Sequence, residues 1–293
     1  MIAAIECEGA PRDLGRDQGR ACRGSLREAL ARSPLLERWP FPLGAASARL
    51  ERDLKRHFPH LAESLAGLAV GAGVPSRWLV RRLADELAAG SRGARAAASV
   101  LGAGALLAVD CAAPWIARRS RPEGGFACVE LVRPWLVAAF AGVNEAGLGV
   151  VSVPANGAAG ACSAPAALLA QDCLQRFAKV ESALDWCSGR PAGQGAALLF
   201  ADARGELAGV EIRAGVSRVL RPDAALLAWA DDPAVGAEFA KSVREAAPVT
   251  PLGLARALAP AGRSERGVAI VDPVARRLGV LCALDGEPDW LAL

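Results

Sequence analysis

The 293-residue sequence has few of the residues from which metal centres and histidine-dependent active sites are built. Its only imidazoles are those of His57 and His60, and none of its eight cysteines forms a CxxC pair. Structural zinc sites usually combine such pairs with histidine, so we predict no metal centre, and we expect no cofactor. A Ser-His-Asp or Cys-His triad would likewise have to use one of these two histidines.

The sequence also lacks a charge excess and a long apolar run. Its net charge is +3, from 34 basic and 31 acidic residues, which gives no electrostatic footprint for nucleic acid. The longest apolar run, 96–109, covers about 14 residues and is interrupted by glycine, so it is too short to span a membrane. The first residues lack the basic and apolar regions of a signal peptide. We therefore expect a cytoplasmic protein with reduced thiols.

The spacing of apolar residues changes once along the chain. From 13 to about 87 they recur every three or four positions, which predicts several amphipathic helices. Beyond a polar connection at 91–95, short apolar runs broken by turns predict strands at 97–109, 112–118, 126–133, 135–141, 147–153, 196–201, 207–213, 216–220, 226–229, 268–272 and 278–282. Further helices are predicted at 164–178, 233–245 and 251–259. This order predicts an α+β fold, an αββα sandwich of two sheets between helical layers.

Four motifs carry a resemblance to a known family: GAPRDLGRDQG at 9–19, HFPHLAE at 57–63, GLAVGAG at 67–73 and GVNEAGLG at 142–149. Together they resemble the penicillin acyltransferase-like family of N-terminal-nucleophile proteins, which is related more distantly to bile salt and penicillin V hydrolases. The resemblance implies amide hydrolysis or acyl transfer by a cysteine that self-cleavage makes N-terminal. The freed α-amino group would then act as the base for that thiol.

The same resemblance implies the domain organisation. A helical leader would occupy residues 1–95, and a core with the N-terminal-nucleophile αββα fold would occupy residues 96–293. We expect the leader to stay attached. The glycines at 9, 15 and 19 lack the Lys-Ser/Thr of a phosphate-binding loop, and they predict close helix packing instead.

Most of the positions on which the family's chemistry depends are changed in this chain. The stretch 94–104 contains no cysteine, and Ala97 stands where the resemblance places the nucleophile. Asp110 stands at an asparagine position of the following hairpin motif, and Pro154 stands at an oxyanion asparagine. Asp231 lies in the segment that corresponds to a late Thr-Asn-His, where an acidic side chain would repel an oxyanion. A scaffold that is kept while its chemical positions are changed indicates a catalytically impaired pseudoenzyme.

Such a pseudoenzyme would bind a small amide or acyl ligand or a partner protein in the former cleft, as a homo- or hetero-oligomer. The candidate binding residues are Asn144, Asp110 and Asp231, although a tight turn between two strands is the favoured explanation of Asn144. The alternative is an active, self-processing amide hydrolase or N-acyltransferase whose nucleophile is Cys111 or Ser99.

Two observations separate these hypotheses. A self-processing enzyme requires two chains after maturation, whereas a binding or structural protein stays an uncut polypeptide of 30.1 kDa. Bulky side chains from 96–115 that fill the cleft would count against a small ligand.

Overall fold

The computed structural model describes residues 4–33, 44–89, 95–101, 104–112, 114–154, 166–190, 195–213, 215–245, 250–258, 266–281 and 287–293. The helices in these ranges are α1 (Pro11–Ala21), α2 (Arg23–Arg32), α3 (Ala45–His57), α4 (Pro59–Ala72), α5 (Ser76–Ala89), α6 (Ala166–Arg176), α7 (Val180–Gly189), α8 (Pro233–Glu245) and α9 (Pro251–Leu258). None of them combines the length and the apolar character that crossing a membrane requires.

The strands are β1 (Ala4–Gly9), β2 (Arg95–Leu101), β3 (Gly104–Ala112), β4 (Ile116–Pro122), β5 (Cys128–Val132), β6 (Ala139–Asn144), β7 (Leu148–Pro154), β8 (Ala196–Asp202), β9 (Leu207–Arg213), β10 (Val216–Leu220), β11 (Leu226–Ala230), β12 (Arg266–Asp272), β13 (Arg277–Leu281) and β14 (Asp289–Ala292). They form an eight-stranded sheet in the order β1-β4-β5-β6-β7-β8-β9-β10 and a six-stranded sheet in the order β11-β2-β3-β12-β13-β14. The pairing of β1 with β4 is parallel, and the other described pairings are antiparallel.

Three apolar cores separate four layers. One core lies between the two sheets, a second lies between the eight-stranded sheet and helices α2 to α7, and a third lies between the six-stranded sheet and helices α8 and α9. Strand β8 shows the consequence, since all seven of its residues are buried: Leu199 faces the other sheet and Leu198 faces the helices. Strands covered on both faces read as continuous apolar runs. The predicted αββα sandwich is confirmed.

Helices α1 and α4 pack backbone to backbone through glycines. A Cβ atom added to Gly15 would lie 1.8 Å from the carbonyl oxygen of Ser64, and one added to Gly19 would lie 2.3 Å from that of Leu68. From the opposite helix, a Cβ atom on Gly67 would lie 2.0 Å from the carbonyl oxygen of Arg12. No side chain fits at such distances, so the prediction of close helix packing is confirmed for Gly15 and Gly19.

Strand β1 was not predicted. It precedes the helices in the chain but lies at the edge of the eight-stranded sheet, where Ile5 is opposite Arg118 and Cys7 is opposite Ser120 of β4. Its alternation of apolar and polar residues covers only Ile5 to Glu8, which is a weak sequence signal, and its partner is more than 100 residues away. The division into a leader at 1–95 and a core at 96–293 stays a prediction, although residues 4–9 complete a sheet of the core.

Candidate functional site

Ala97, the expected nucleophile position, lies inside a strand that is paired on both sides. In the register of the six-stranded sheet, Ala97 is opposite Ala108 of β3 and Ala228 of β11. The preceding residue, Ala96, is likewise opposite Val109 and Trp229. The peptide bond immediately before residue 97, where the sequence resemblance would place self-cleavage, therefore runs through continuous sheet.

The space beside this bond, between the two sheets, is filled by large side chains. Trp229 is only 5% exposed and belongs to the inter-sheet core together with Ala96, Leu107 and Val109. The indole Nε1 of Trp229 donates a hydrogen bond to Oε1 of Glu211 in the facing sheet, over 3.0 Å. An indole that is buried in a core normally needs such a partner, and Glu211 supplies it.

Glu211 is held by two arginines. Nε of Arg213 donates to Oε1 over 2.9 Å, and Nη2 of Arg218 lies 2.9 Å from Oε2. Burial by itself would raise the pKa of this carboxyl group, but the hydrogen bonds from Arg213 and Trp229 outweigh it, so the pKa of Glu211 is lowered. Glu211 therefore carries its negative charge at neutral pH.

Asp231 completes this group, which we call the edge cluster (Glu211, Arg213, Arg218, Trp229 and Asp231). Nη2 of Arg213 lies 3.6 Å from Oδ1 of Asp231 and donates to its backbone oxygen over 3.3 Å. The cluster bridges β9 and β10 of one sheet to the end of β11 in the other, next to β2. It holds two carboxylates and two guanidinium groups but no hydroxyl or thiol, so it contains no side chain suited to nucleophilic attack on a carbonyl.

The two alternative nucleophiles lie on neighbouring strands of the same sheet. Ser99 in β2 is opposite Leu106 and Leu226, and Cys111 in β3 is opposite Gly267 of β12. The side chains of Ser99 and Cys111 lie outside the described part of the structure. Their roles as nucleophiles therefore stay predictions.

Asp110 and Asn144, the other candidate binding residues, lie in strands β3 and β6. Asp110 is opposite Val268, which packs in the outer core under α8 and α9.

Asn144 is buried, and its side-chain amide is fully bonded. Nδ2 donates to the carbonyl oxygens of Leu174 and Phe177, each over 2.8 Å, and Oδ1 accepts from the backbone N–H of Leu148 over 2.9 Å. Gly147 follows with φ of +86°, as a tight turn between β6 and β7 requires. These bonds anchor the end of helix α6 to the turn.

A second polar cluster was missed by the sequence analysis. Arg118 of β4 and Glu130 of β5 are buried under the helices, and Oε2 of Glu130 lies 2.7 Å from both Nε and Nη2 of Arg118. Arg118 also donates to Oε1 of Gln18 in α1 over 2.6 Å and to Oε1 of Gln171 in α6 over 2.9 Å. We call these four residues the arginine network. Its one sequence signal is Glu130, a charged residue inside the apolar run at 128–132.

The arginine network joins the N-terminal helices to the core. Nε2 of Gln18 donates to the carbonyl oxygens of Leu136 over 2.8 Å and of Arg133 and Pro134 over 3.3 Å. Burial by itself would lower the pKa of Arg118, but Glu130 outweighs it and raises that pKa. In the described ranges, no three histidine, cysteine, aspartate or glutamate side chains form a group that could hold a metal ion.

Comparisons with known proteins identify the fold. The sequence matches no protein-family model and no curated protein. Among solved structures, it is similar to the Caenorhabditis elegans ortholog of N-acylethanolamine-hydrolyzing acid amidase, with a TM-score of 0.51 and 10% identity over 61% of this chain and 93% of that chain. It also matches penicillin V acylase from Agrobacterium tumefaciens, with a TM-score of 0.49 and 15% identity over 68% of this chain and 86% of that chain. The resemblance found in the sequence is thus confirmed at the level of the fold, and the chain has the αββα fold of the N-terminal-nucleophile amidases.

Proposed function

We propose that this chain is a non-catalytic protein with the fold of the amidohydrolases and acyltransferases, and that it acts by binding a partner. The observation that carries the proposal is the environment of Ala97. The strand around it is continuous and paired on both sides, and Trp229 and Glu211 occupy the space between the sheets next to the preceding residue, Ala96. A self-cleaved N-terminal nucleophile needs a free strand end and open space at this point.

The charges around the position support the same conclusion. Acyl transfer proceeds through an oxyanion that N–H donors must stabilise. Pro154 has no N–H to offer, and the end of β11 is followed by the carboxylates of Asp231 and Asp232. A carboxylate has no N–H with which to stabilise an oxyanion.

We further propose that the segment 1–95 stays attached to residues 96–293 as one polypeptide. The arginine network supports this, because Gln18 accepts a hydrogen bond from Arg118 and donates to three carbonyl groups of the core. All four side chains of the network are buried, so separating the two parts would strand polar groups without partners. The cytoplasmic location expected from the sequence is part of the same proposal.

The kind of partner follows from the packing between the sheets. Leu107 and Val109, both from the segment 96–115, are buried there with Trp229. A former cleft filled in this way favours a protein partner over a small amide or acyl ligand. Candidates are a second copy of the chain and a catalytically competent relative.

Intact mass under denaturing conditions tests the proposal. The wild-type chain and the variants S99A and C111A are expressed, purified and incubated, and each is expected to give one species at full length, 30.1 kDa for the wild type. An A97C variant is expected to stay uncut as well, because residue 97 lies within a continuous strand, opposite Ala108 and Ala228. Hydrolysis of a panel of N-acyl amides is expected at the rate of buffer alone.

The alternative hypothesis predicts a different result. Two fragments whose junction lies immediately before Ser99 or Cys111 would overturn the proposal, provided that the matching alanine variant stays whole. That outcome would identify the nucleophile directly.

Light scattering on the uncut chain, alone and with a cell extract depleted of small molecules, then separates self-association from binding of another protein.

A further inference from the structure

Two buried cysteines face each other between helices α6 and α7. The Sγ atoms of Cys173 and Cys187 are 3.6 Å apart, and neither side chain is exposed to solvent. Both are thiols in this structure. A disulfide bond is about 2.0 Å long, so the two sulfur atoms need to approach by roughly 1.6 Å to form one. Rotation about the side-chain bonds and a small helix shift cover such a distance.

The residues next to the two cysteines hold the helices in this arrangement. Oδ2 of Asp172 accepts a hydrogen bond from Nε1 of Trp186 over 2.7 Å. The rings of Phe177 and Trp186 lie 5.7 Å apart, centre to centre. Because Asp172 precedes Cys173 and Trp186 precedes Cys187, these contacts fix the relative position of the two thiols.

We propose that Cys173 and Cys187 form a redox modification site, at which a peroxide converts the two thiols into an intramolecular disulfide bond. With hydrogen peroxide, one thiolate attacks a peroxide oxygen, which gives a sulfenic acid and releases water once protons are counted. The second thiolate then attacks the sulfenic sulfur, the S–S bond forms, and a second water leaves. Two thiols and one peroxide thus give one disulfide and two waters.

Burial sets the rate of this reaction. It raises the pKa of Cys173 well above its ordinary value, so few molecules hold a thiolate there at neutral pH. Oxidation is therefore slow at neutral pH and faster at higher pH. A dithiol reductant reverses it.

The disulfide would connect two parts of the core. Helix α6 carries Gln171 of the arginine network, and its last turn accepts the hydrogen bonds of Asn144. Helix α7 packs behind the eight-stranded sheet, where Val180, Ala183 and Leu184 share a core with strand β9. The bond would therefore fix helices α6 and α7 together, and these helices pack against the strands that carry the arginine network and the edge cluster. This inference is independent of the proposed function.

Peptide mapping of the oxidised full-length protein tests the proposal. The wild-type chain is treated with hydrogen peroxide at pH 8.5, its remaining thiols are alkylated under denaturing conditions, and it is digested without reduction. A peptide pair joined through Cys173 and Cys187 is expected, with a mass about 2 Da below the sum of the two thiol peptides. From the closure of a short loop, the thermal midpoint is expected to rise by roughly 5–10 °C and to fall back on reduction.

Three variants sharpen the test. C173S and C187S are each expected to lose the joined peptide and the rise in thermal midpoint. C128S is the matched control, because Cys128 is equally buried but its Sγ donates to the carbonyl oxygen of Phe126, and it is expected to behave like the wild type. A wild-type map that shows only sulfinic acid, or a bond to any other cysteine, would overturn the proposal even if a serine variant fails to fold.

Discussion

Replacing Glu130 with glutamine is expected to lower the free energy of unfolding by about 3–5 kcal/mol. Glu130 has no exposed surface, and its carboxylate faces the buried guanidinium of Arg118 at 2.7 Å. Glutamine keeps the shape of the side chain but removes its charge. The cation then stays buried without an anion, and its remaining side-chain partners, the amides of Gln18 and Gln171, are neutral. Domains are typically stable by only about 5–15 kcal/mol, so this loss is large.

The neighbouring residue supplies a matched control. Arg119 pairs with Glu6 over 2.9 Å, but these side chains are 31% and 56% exposed. An exposed pair of this kind contributes about 0–1 kcal/mol, so E6Q is expected to change stability by less than about 1 kcal/mol. Each pair joins β4 to a neighbouring strand, β1 for Glu6 and β5 for Glu130, and the two pairs differ mainly in burial.

Urea unfolding of the full chain at pH 7 measures both effects. The wild type, E130Q and E6Q are followed by circular dichroism, and the free energies are extrapolated to zero urea. An E130Q variant within about 1 kcal/mol of the wild type would refute the reasoning, because a buried, unpaired guanidinium cannot be that well tolerated. Limited proteolysis adds a local readout: E130Q is expected to expose helix α1 to cleavage earlier than E6Q does, since Gln18 depends on the same network.

Two further predictions concern the N-terminal helices and their contacts. G67A is expected to destabilise the protein by several kcal/mol, because its Cβ would lie 2.0 Å from the carbonyl oxygen of Arg12. The control G24A is expected to be neutral or slightly stabilising, because a Cβ at residue 24 would meet no atom within 4 Å. Thermal midpoints of the two variants test this, and equal midpoints would contradict the close packing of the helices. Asp172 gives a pH dependence: burial would raise its pKa, but His60 and Arg176 outweigh burial and lower it. Its contribution to stability is therefore complete above the unfolded-state value of about 4 and is lost as the pH falls through the lower folded-state pKa. The stability gap between wild type and D172N, measured by urea unfolding from pH 7 to pH 2.5, is expected to close below pH 4, and a constant gap would argue against the ion pairs.

Local patterns in the sequence were sufficient for most of the architecture. Helices α8 and α9 and strands β8 to β11 lie within one residue of their predicted bounds. The run at 97–109 was predicted as one strand, but the structure divides it into β2 and β3. A continuous apolar run does not show where a buried strand turns, because both faces are covered and no alternation marks the break.

Only part of the candidate site could be predicted from the sequence. The loss of the cysteine near Ala97 is visible in the sequence, and so are the acidic residues after Trp229. The bond between Trp229 and Glu211 is not visible, because it depends on the distance between two sheets. The hydrogen bonds from the Asn144 amide to the carbonyl oxygens of Leu174 and Phe177 are not visible in the sequence either, and the binding role of Asn144 stays a prediction.

The sequence by itself showed which segments form helices and which form strands. It also showed that the expected nucleophile position holds no cysteine and that glycines allow two helices to touch. These features depend on residue type and on spacing over a few positions, which a linear reading contains. The tertiary structure alone decided that β1 pairs with β4, that Gln18 meets Arg118 across 100 residues and that Trp229 packs between the sheets next to Ala96. Each of these contacts brings together residues from distant parts of the chain, and only the packing of complete layers fixes which buried polar groups become partners.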